Sequence, residues 1–522
     1  MQHLYEKEVS SMKQKWLMPL IRRRFFVIAL LLVQLGVIIY TAISGSIASH
    51  LVSEALTVLS IAVCLYIVSR GGTGAYKLIW IFVILLFPVF GGLLYLLFSF
   101  QGATKKFTRK TAKTEAKAKG LLAFPGTAEE KLLDALPQQA SQMRYLQGHA
   151  GFPVYTDSET CYLSPGEEKY EALLRELSKA ERYIFLEYFI IQEGAMWNSI
   201  LEILQEKAKQ GIKVRVLYDD LGCFLRLPKD YDAQLRKMGI ECQVFNRFKP
   251  VLASMQNNRD HRKIAVIDGK VAFTGGINLA DEYINAIEKF GHWKDASVMI
   301  RGKAAWSFTL MFLQMWELTT GVDEDYAQFY PWLLTDCPIK ADGFVQPYAD
   351  SPMDKENVGE QVYLQIIHNA KRYLYINTPY LIIDESMMSA LCLAAKSGVD
   401  VRIVTPHKWD KRFVHLTTQS YYRDLMAAGV QIYEYSRGFI HSKTFVADDT
   451  VATVGTTNLD FRSLYLSFEC GALMYRTEAV SQLKEDFLNT LEQCHRITEK
   501  DCQCGPVKGV FQDILRLFAP LM

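Results

Sequence analysis

The stretch His261-Arg-Lys263-Ile-Ala-Val-Ile-Asp268, followed by Gly275 and Asn278, constrains this chain most, because it recurs as His441-Ser-Lys443-Thr-Phe-Val-Ala-Asp448 with Gly455 and Asn458. Counted from each histidine, Lys falls at +2, Asp at +7, Gly at +14 and Asn at +17, and the copies are offset by a constant 180 positions. A repeat on that scale predicts two similar folding units. Between Lys and Asp each copy is apolar and reads as a strand, on which residues i and i+2 share a face, so His and Lys point the same way.

Histidine is a nucleophile or proton carrier near neutral pH, and a lysine beside it can hold the oxygens of a phosphate. Each copy therefore reads as half of a phosphate site. Lys263 and Lys443 supply positive charge, and Asn278 and Asn458 add neutral donors, so transition-state charge can be stabilised by the protein itself. No carboxylate cluster with metal-like spacing accompanies the histidines, so neither a metal nor a cofactor is expected. Asp268 and Asp448 are read as braces that bind backbone or Arg groups at a strand-to-turn corner. Gly275 and Gly455 either let the chain turn close to the phosphate or are ordinary turn glycines. Asp295 and Glu469, each just before an apolar strand, are candidates to orient the histidine rings.

The repeat extends beyond the motif. Ala180-Glu-Arg-Tyr183 answers Ala370-Lys-Arg-Tyr373, Gly211-Ile answers Gly398-Val, and Gly239-Ile answers Gly429-Val. Strands such as Tyr183 to Ile191 and Lys213 to Asp219 alternate with helical stretches, which predicts an α/β fold. Two βα halves, 148–345 and 346–522, would then face each other across a pseudo-twofold axis. Glu187 and Asn377 hold equivalent places on the first strand of each half, with Tyr380 after the second, and either line the cleft or are simply buried. Val507, Val510, Phe511, Ile514, Leu515 and Phe518 recur at helical spacing, as in a docking or interfacial helix.

Before the halves the chain is different. Residues 1–24 form a basic tail ending in three arginines, and 25–100 hold three apolar segments, 25–43, 51–69 and 77–99, each long enough to be a candidate transmembrane helix. The second is weakened by Glu54, the segment expected not to span cleanly, and the third contains Pro88 and Gly91-Gly92. Residues 101–147 read as a basic linker. The positive-inside rule places both basic clusters, and hence the catalytic halves, in the cytoplasm, although three spans would separate the clusters. The cysteines show no repeated pair spacing, so a disulfide framework is not expected. A zinc cluster at Cys494, His495, Cys502 and Cys504 matches no standard ligand pattern.

The duplicated H-x-K-x4-D-x6-G-[GST]-x-N pattern resembles the signature of the phospholipase D superfamily. Tyr218-Asp-Asp-Leu-Gly222, Asn377-Thr-Pro-Tyr380, Gly438-Phe-Ile-His-Ser-Lys-Thr444 and the C-terminal Leu517-Phe-Ala-Pro-Leu-Met522 resemble its bacterial cardiolipin synthase branch, over nearly everything after residue 50. The resemblance implies two phospholipase D-like halves preceded by transmembrane helices, a multi-pass protein of the bacterial cell membrane, and a catalytic set of His261, Lys263, Asp268, His441, Lys443 and Asp448. It implies that Asp295 serves His261 and Glu469 serves His441, and that His261 is the nucleophile. It also implies phosphatidylglycerol and membrane lipids as partners. Lipid hydrolysis, phosphatidylserine synthesis and nuclease action use the same motif. A nuclease should carry an extended basic groove, whereas the basic residues here crowd near the apolar segments, so no nucleic-acid partner is expected.

Overall fold

The computed structural model describes residues 47–99, 102–122, 127–248, 254–331, 339–503 and 505–522, with isolated positions between 32 and 43. The basic tail and most of the first apolar segment lie outside the described residues. The chain divides into two compact units, Met1–Phe107 with Phe248–Asn257, and Thr108–Arg247 with Asn258–Met522.

In the first unit, helices α1 (Ile47–Ser69), α2 (Gly74–Leu86) and α3 (Pro88–Ser99) enclose a small core of Val63, Ile67 and Ile84, with Trp80 and Tyr95 against it. The segment 77–99 is therefore two helices and not one. Proline disfavours helical dihedrals in the residue before it, and Phe87 leaves the helix at φ −134° and ψ 76°. The break falls here, while the stretch carrying Glu54 is one uninterrupted helix. A Cβ at Gly91 would sit 2.8 Å from the Ile84 backbone, so glycine lets α2 and α3 lie together. Leu51, Val58, Leu65, Leu78 and Leu85 point outward and are exposed. Among the described residues no helix is long and apolar enough to cross a membrane.

The stretch read as a basic linker begins as helix α4 (Gly102–Leu122), which buries Thr111, Thr114, Ala118 and Leu122 at helical spacing. These small residues allow close approach where no large apolar stripe exists. Lys117 pairs with Glu317 at 2.8 Å and Asp323 at 2.6 Å, and the Lys110 ammonium donates to the Leu318 carbonyl at 2.6 Å.

The first half contains strands β1 (Ser158–Leu163), β2 (Tyr183–Tyr188), β3 (Lys213–Asp219), β4 (Glu241–Phe245), β5 (Arg259–Asp260), β6 (Lys263–Ile267), β7 (Val271–Gly275), β8 (His292–Lys294) and β9 (Ser297–Gly302). The second contains β10 (Phe344–Asp350), β11 (Tyr373–Asn377), β12 (Asp400–Pro406), β13 (Gln431–Tyr435), β14 (Gly438–Ile440), β15 (Thr444–Ala447), β16 (Val451–Gly455), β17 (Ser467–Tyr475) and β18 (Cys494–Arg496). The first sheet runs β1-β9-β7-β6-β2-β3-β4, and the second repeats that order as β10-β17-β16-β15-β11-β12-β13, adding β18 at its edge. In each, three parallel strands join an antiparallel set through the strand that follows the motif histidine. Helix α5 (Ala305–Thr320), buried on nearly every side, covers the first sheet.

Two short parallel ladders stitch the halves together. Arg259 and Asp260 of β5 pair with Ser467 and Phe468 of β17, and Gly438 to Ile440 of β14 pair with His292 to Lys294 of β8.

Asp268 and Asp448 are the braces the sequence suggested. Each ends its strand at φ 56° and accepts backbone N–H groups from the matching turn of its own half: Glu181, Arg182 and Tyr183 for Asp268, Lys371, Arg372 and Tyr373 for Asp448. Removing a carboxylate that satisfies buried amides costs about 1–3 kcal/mol per unmade bond at most, so Asp268→Ala should lower unfolding stability by about 3 kcal/mol. Asp448→Ala, whose partners are more exposed, should cost less. Denaturant titration in detergent checks this, and equal stability of Asp268→Ala and the parent chain would contradict it.

Candidate active site

The inter-half ladders end at the two motif histidines. Beyond β5 the His261 amide donates to the Phe468 carbonyl at 3.0 Å, and beyond β14 the His441 amide donates to the Lys294 carbonyl at 2.7 Å. The next residue on each facing strand is an acid. Glu469 lies 2.9 and 3.0 Å from His261 Nδ1, and Asp295 Oδ2 lies 2.7 Å from His441 Nδ1. The expected pairing of Asp295 with His261 and Glu469 with His441 is thus reversed. Each acid continues a strand that pairs with the other half, so it meets the other half's histidine.

Both acids are fully buried. Asp295 occupies the space where a side chain on Gly276 would be, since a Cβ there would come within 2.0 Å of Oδ1. At the matching position, Thr456 fills that space and its hydroxyl donates to Glu469. Lys263 donates to the His261 carbonyl, and Lys443 donates to the His441 carbonyl with its ammonium 2.9 Å from His441 Nδ1. The ring of His261 meets Phe189 edge-on, whereas His441 is walled by Tyr283, Trp293 and Phe439. Side-chain exposure follows, at 15% for His261 and 10% for His441. Among the described residues neither Nε2 has a hydrogen-bond partner, because the carboxylates take Nδ1.

Burial, aided by Lys263, Lys443, Lys411 and Arg462, holds His261 well below its usual range, and burial with Lys443 holds His441 down to about 4 against the pull of Asp295. Both shifts favour the neutral ring. Burial also lowers Lys263 to about 8 and Lys443 to about 7. For Asp295 burial pushes upward, but the charges of His441 and Lys443 prevail and hold it below the usual carboxylate range. For Glu469 burial wins over Lys263 and Thr456, and its carboxyl is raised to about 7.

A family model described as "Cardiolipin synthase, PLD-like domain" matches residues 173–306 and 363–491, one match per half, and a "Phospholipase_D-nuclease N-terminal" model matches residues 55–99. A cardiolipin synthase of Alkalihalophilus pseudofirmus is 37% identical over 90% of this chain and 92% of its own length. One from Geobacillus kaustophilus is 37% identical over 86% and 89%. The chain belongs to the cardiolipin synthase family of the phospholipase D superfamily. A phosphatidylserine synthase from Haemophilus influenzae shares the fold, with a TM-score of 0.53 at 14% identity over 70% of this chain and 95% of that one.

Not every motif residue of this cardiolipin synthase family member reaches the histidines. Asp268 and Asp448 stand at the far ends of β6 and β15, five residues and so roughly 16–17 Å along the strand from the lysines at about 3.3 Å per residue. They hold backbone and take no place beside the histidines. Asn278 accepts from the Ile190 amide at 2.9 Å and donates to the Tyr283 hydroxyl at 2.8 Å, and Asn458 donates to Asp460 at 3.1 Å. Both asparagines thus fix the turn, with one amide hydrogen already engaged. Gly275 and Gly455 sit where a Cβ would strike the neighbouring strand, 2.4 Å from the Ala296 carbonyl and 2.8 Å from that of Cys470. Strand crowding requires them. Glu187 and Asn377 are buried behind the site, Glu187 with Arg262 at 3.9 Å and Asn377 bonded to Thr444. No group of three or more His, Cys, Asp or Glu among the described residues could hold a metal ion.

Gly276 and Thr456 belong to the repeated motif, but Lys411, Arg462, Tyr283 and Trp293 were not foreseen as site residues. The Gly276–Thr456 difference is visible in the motif, but its meaning depends on a carboxylate distant in sequence. If the pairing across halves holds, Glu469→Gln should move the titration of His261 and leave that of His441 nearly unchanged. Histidine-selective NMR reads both, and a shift confined to His441 would restore the pairing within halves.

Proposed function

We propose that this enzyme transfers a phosphatidyl group from one phosphatidylglycerol to another, giving cardiolipin and free glycerol. The observation that carries this reading is the pair of histidines, each held at Nδ1 by a carboxylate from the other half, with neither Nε2 hydrogen-bonded among the described residues. His261, the more open ring, attacks phosphorus through Nε2. The bond from phosphorus to the glycerol oxygen breaks, and His441, whose protonated form the ionised Asp295 stabilises, gives that oxygen a proton. A phosphate arriving near Lys263 and Lys443 brings the negative charge that lets His441 be protonated. In the second half-reaction His441 removes a proton from the hydroxyl of another phosphatidylglycerol. That oxygen bonds to phosphorus as the phosphorus–nitrogen bond to His261 breaks. One phosphodiester replaces another, so no nucleotide is consumed.

The apolar N-terminal segments hold the enzyme in the bacterial cell membrane, an assignment supported by the outward-facing Leu51, Val58, Leu65, Leu78 and Leu85. The exposed Lys105, Lys106, Arg109 and Lys113, which follow these segments in the sequence, favour a cytoplasmic face for the catalytic halves. Incubating the enzyme with phosphatidylglycerol vesicles and chelator should yield cardiolipin and glycerol in equal amounts. Phosphatidic acid as the main product would make the enzyme a hydrolase.

The pH dependence follows from Glu469. As a carboxylate it accepts the His261 Nδ1 proton and leaves Nε2 its lone pair; protonated, it no longer does. Its carboxyl is raised to about 7, so kcat/KM should fall as pH drops through about 7. The neutral histidines themselves lie lower. On the alkaline side activity should decline as Lys443 and Lys263, lowered to about 7 and about 8, lose their charge. Glu469→Gln should be slow and should lack the acid limb. An unchanged acid limb in that variant would assign it to another group.

A further inference from the structure

Helix α7 (Pro506–Leu517) is turned inside out. Its apolar stripe faces away from the protein, with Val507 84%, Val510 61% and Ile514 48% exposed, and Leu521 just beyond it 61% exposed. Its polar side packs inward on helix α6 (Arg412–Ala427). Gln512 is buried and donates to the Leu416 carbonyl at 3.1 Å, and Arg516 pairs with Asp424 at 2.6 Å. An amphipathic helix on a water-facing surface packs the other way round.

The exposed stripe continues onto α6 and toward the active site. Phe511 meets the ring of Phe413, itself 59% exposed, and Trp409, four residues earlier in the chain, is 51% exposed. Between them Asp410 accepts from the Tyr380 hydroxyl, Lys411 donates to that hydroxyl at 3.1 Å, and the Lys411 charge reaches His261. The C-terminal turn Ala519–Leu521 packs on the short helix Phe461–Tyr465, which follows the Asn458 turn. Lys408, Lys411, Arg412 and Lys508 are exposed around the apolar residues, against Asp410 and Asp513.

We propose that this patch, Val507, Val510, Phe511, Ile514, Trp409 and Phe413, is a docking surface for the anionic lipid bilayer, seating the mouth of the active site on the surface from which lipid is drawn. The assignment deepens the proposed reaction and rests on it for the nature of the lipid. Aliphatic and aromatic side chains enter the headgroup boundary while the surrounding cations meet anionic headgroups. A second copy of this chain would bring the same cations against each other, which opposes a symmetric contact. Continuity with Lys411 and the Asn458 turn gives the surface its use, because substrate moves from bilayer to histidine without crossing water.

The test uses the full chain reconstituted in phosphatidylglycerol vesicles. The double variant Val510→Asp/Ile514→Asp should lose about tenfold or more of its vesicle turnover, since charged groups replace apolar ones at the interface. Turnover of short-chain phosphatidylglycerol below its micelle concentration should be unchanged. In the chain without that double change, brominated lipids should quench a fluorescence component that disappears in Trp409→Phe. Equal vesicle turnover of variant and parent, a fall on both substrates alike, or no quenching of Trp409 would each overturn the docking surface. Crosslinking between chains at Val510→Cys, with Trp409 unquenched, would place a second copy there and also overturn it. Should the parent make no cardiolipin on either substrate, the reaction fails, and Trp409 quenching alone still decides the surface.

Discussion

Each motif histidine takes its orienting carboxylate from the other half of the chain, and the remainder of the site depends on that exchange. Glu469 and Asp295 are fully buried, and burying a carboxylate costs several kcal/mol unless it is paired and hydrogen-bonded. The histidine across the ladder, the nearby lysines and, for Glu469, the Thr456 hydroxyl offset that cost. Neither half could do this alone. The β5–β17 and β8–β14 ladders are short, yet their register decides which acid meets which ring, because a slip of one residue would turn the acid to the opposite face.

The exchange also makes the two histidines unequal. Asp295 is held ionised beside a ring enclosed by aromatic side chains, while Glu469 titrates near neutrality beside a ring that is more open. The difference begins with Gly276 against Thr456: one admits the shorter acid close to the backbone, and the other adds a hydroxyl donor to the longer one. A nearly symmetric scaffold thereby supplies one ring suited to attack and one suited to carrying a proton.

Much of this was legible in the sequence because it is local or repeated. The constant offset of the motif, the apolar strands after each histidine and the matching Arg-Tyr turns identify the halves, and the turn-bracing role of Asp268 and Asp448 follows from their place at the strand ends. What could not be read is non-local. The acid pairing is decided by ladders between segments 208 and 146 residues apart, and nothing near Asp295 or Glu469 announces it. The asparagines look like phosphate donors until Tyr283 and Asp460 are seen beside them. Helix α4 docks through Thr and Ala at helical spacing, a pattern a search for large apolar residues passes over. The break at Phe87 had a visible signal in Pro88, outweighed by the apolar run around it. Helix α7 was visible as amphipathic, but not which of its faces meets the protein.

The account requires a covalent phosphatidyl–histidine adduct on the more open ring, with the enclosed ring serving its formation and breakdown. Rapid quenching of turnover with denaturant at mildly alkaline pH, using labelled phosphatidylglycerol, followed by peptide mass spectrometry under the same conditions, which preserve phosphohistidine, locates that adduct directly. The account predicts label on His261 that is absent in His261→Ala and that forms and decays more slowly in His441→Ala, because that variant lacks both the acid of the first half-reaction and the base of the second. Label on His441 in the parent enzyme, or cardiolipin formation by a His261→Ala variant, would contradict it.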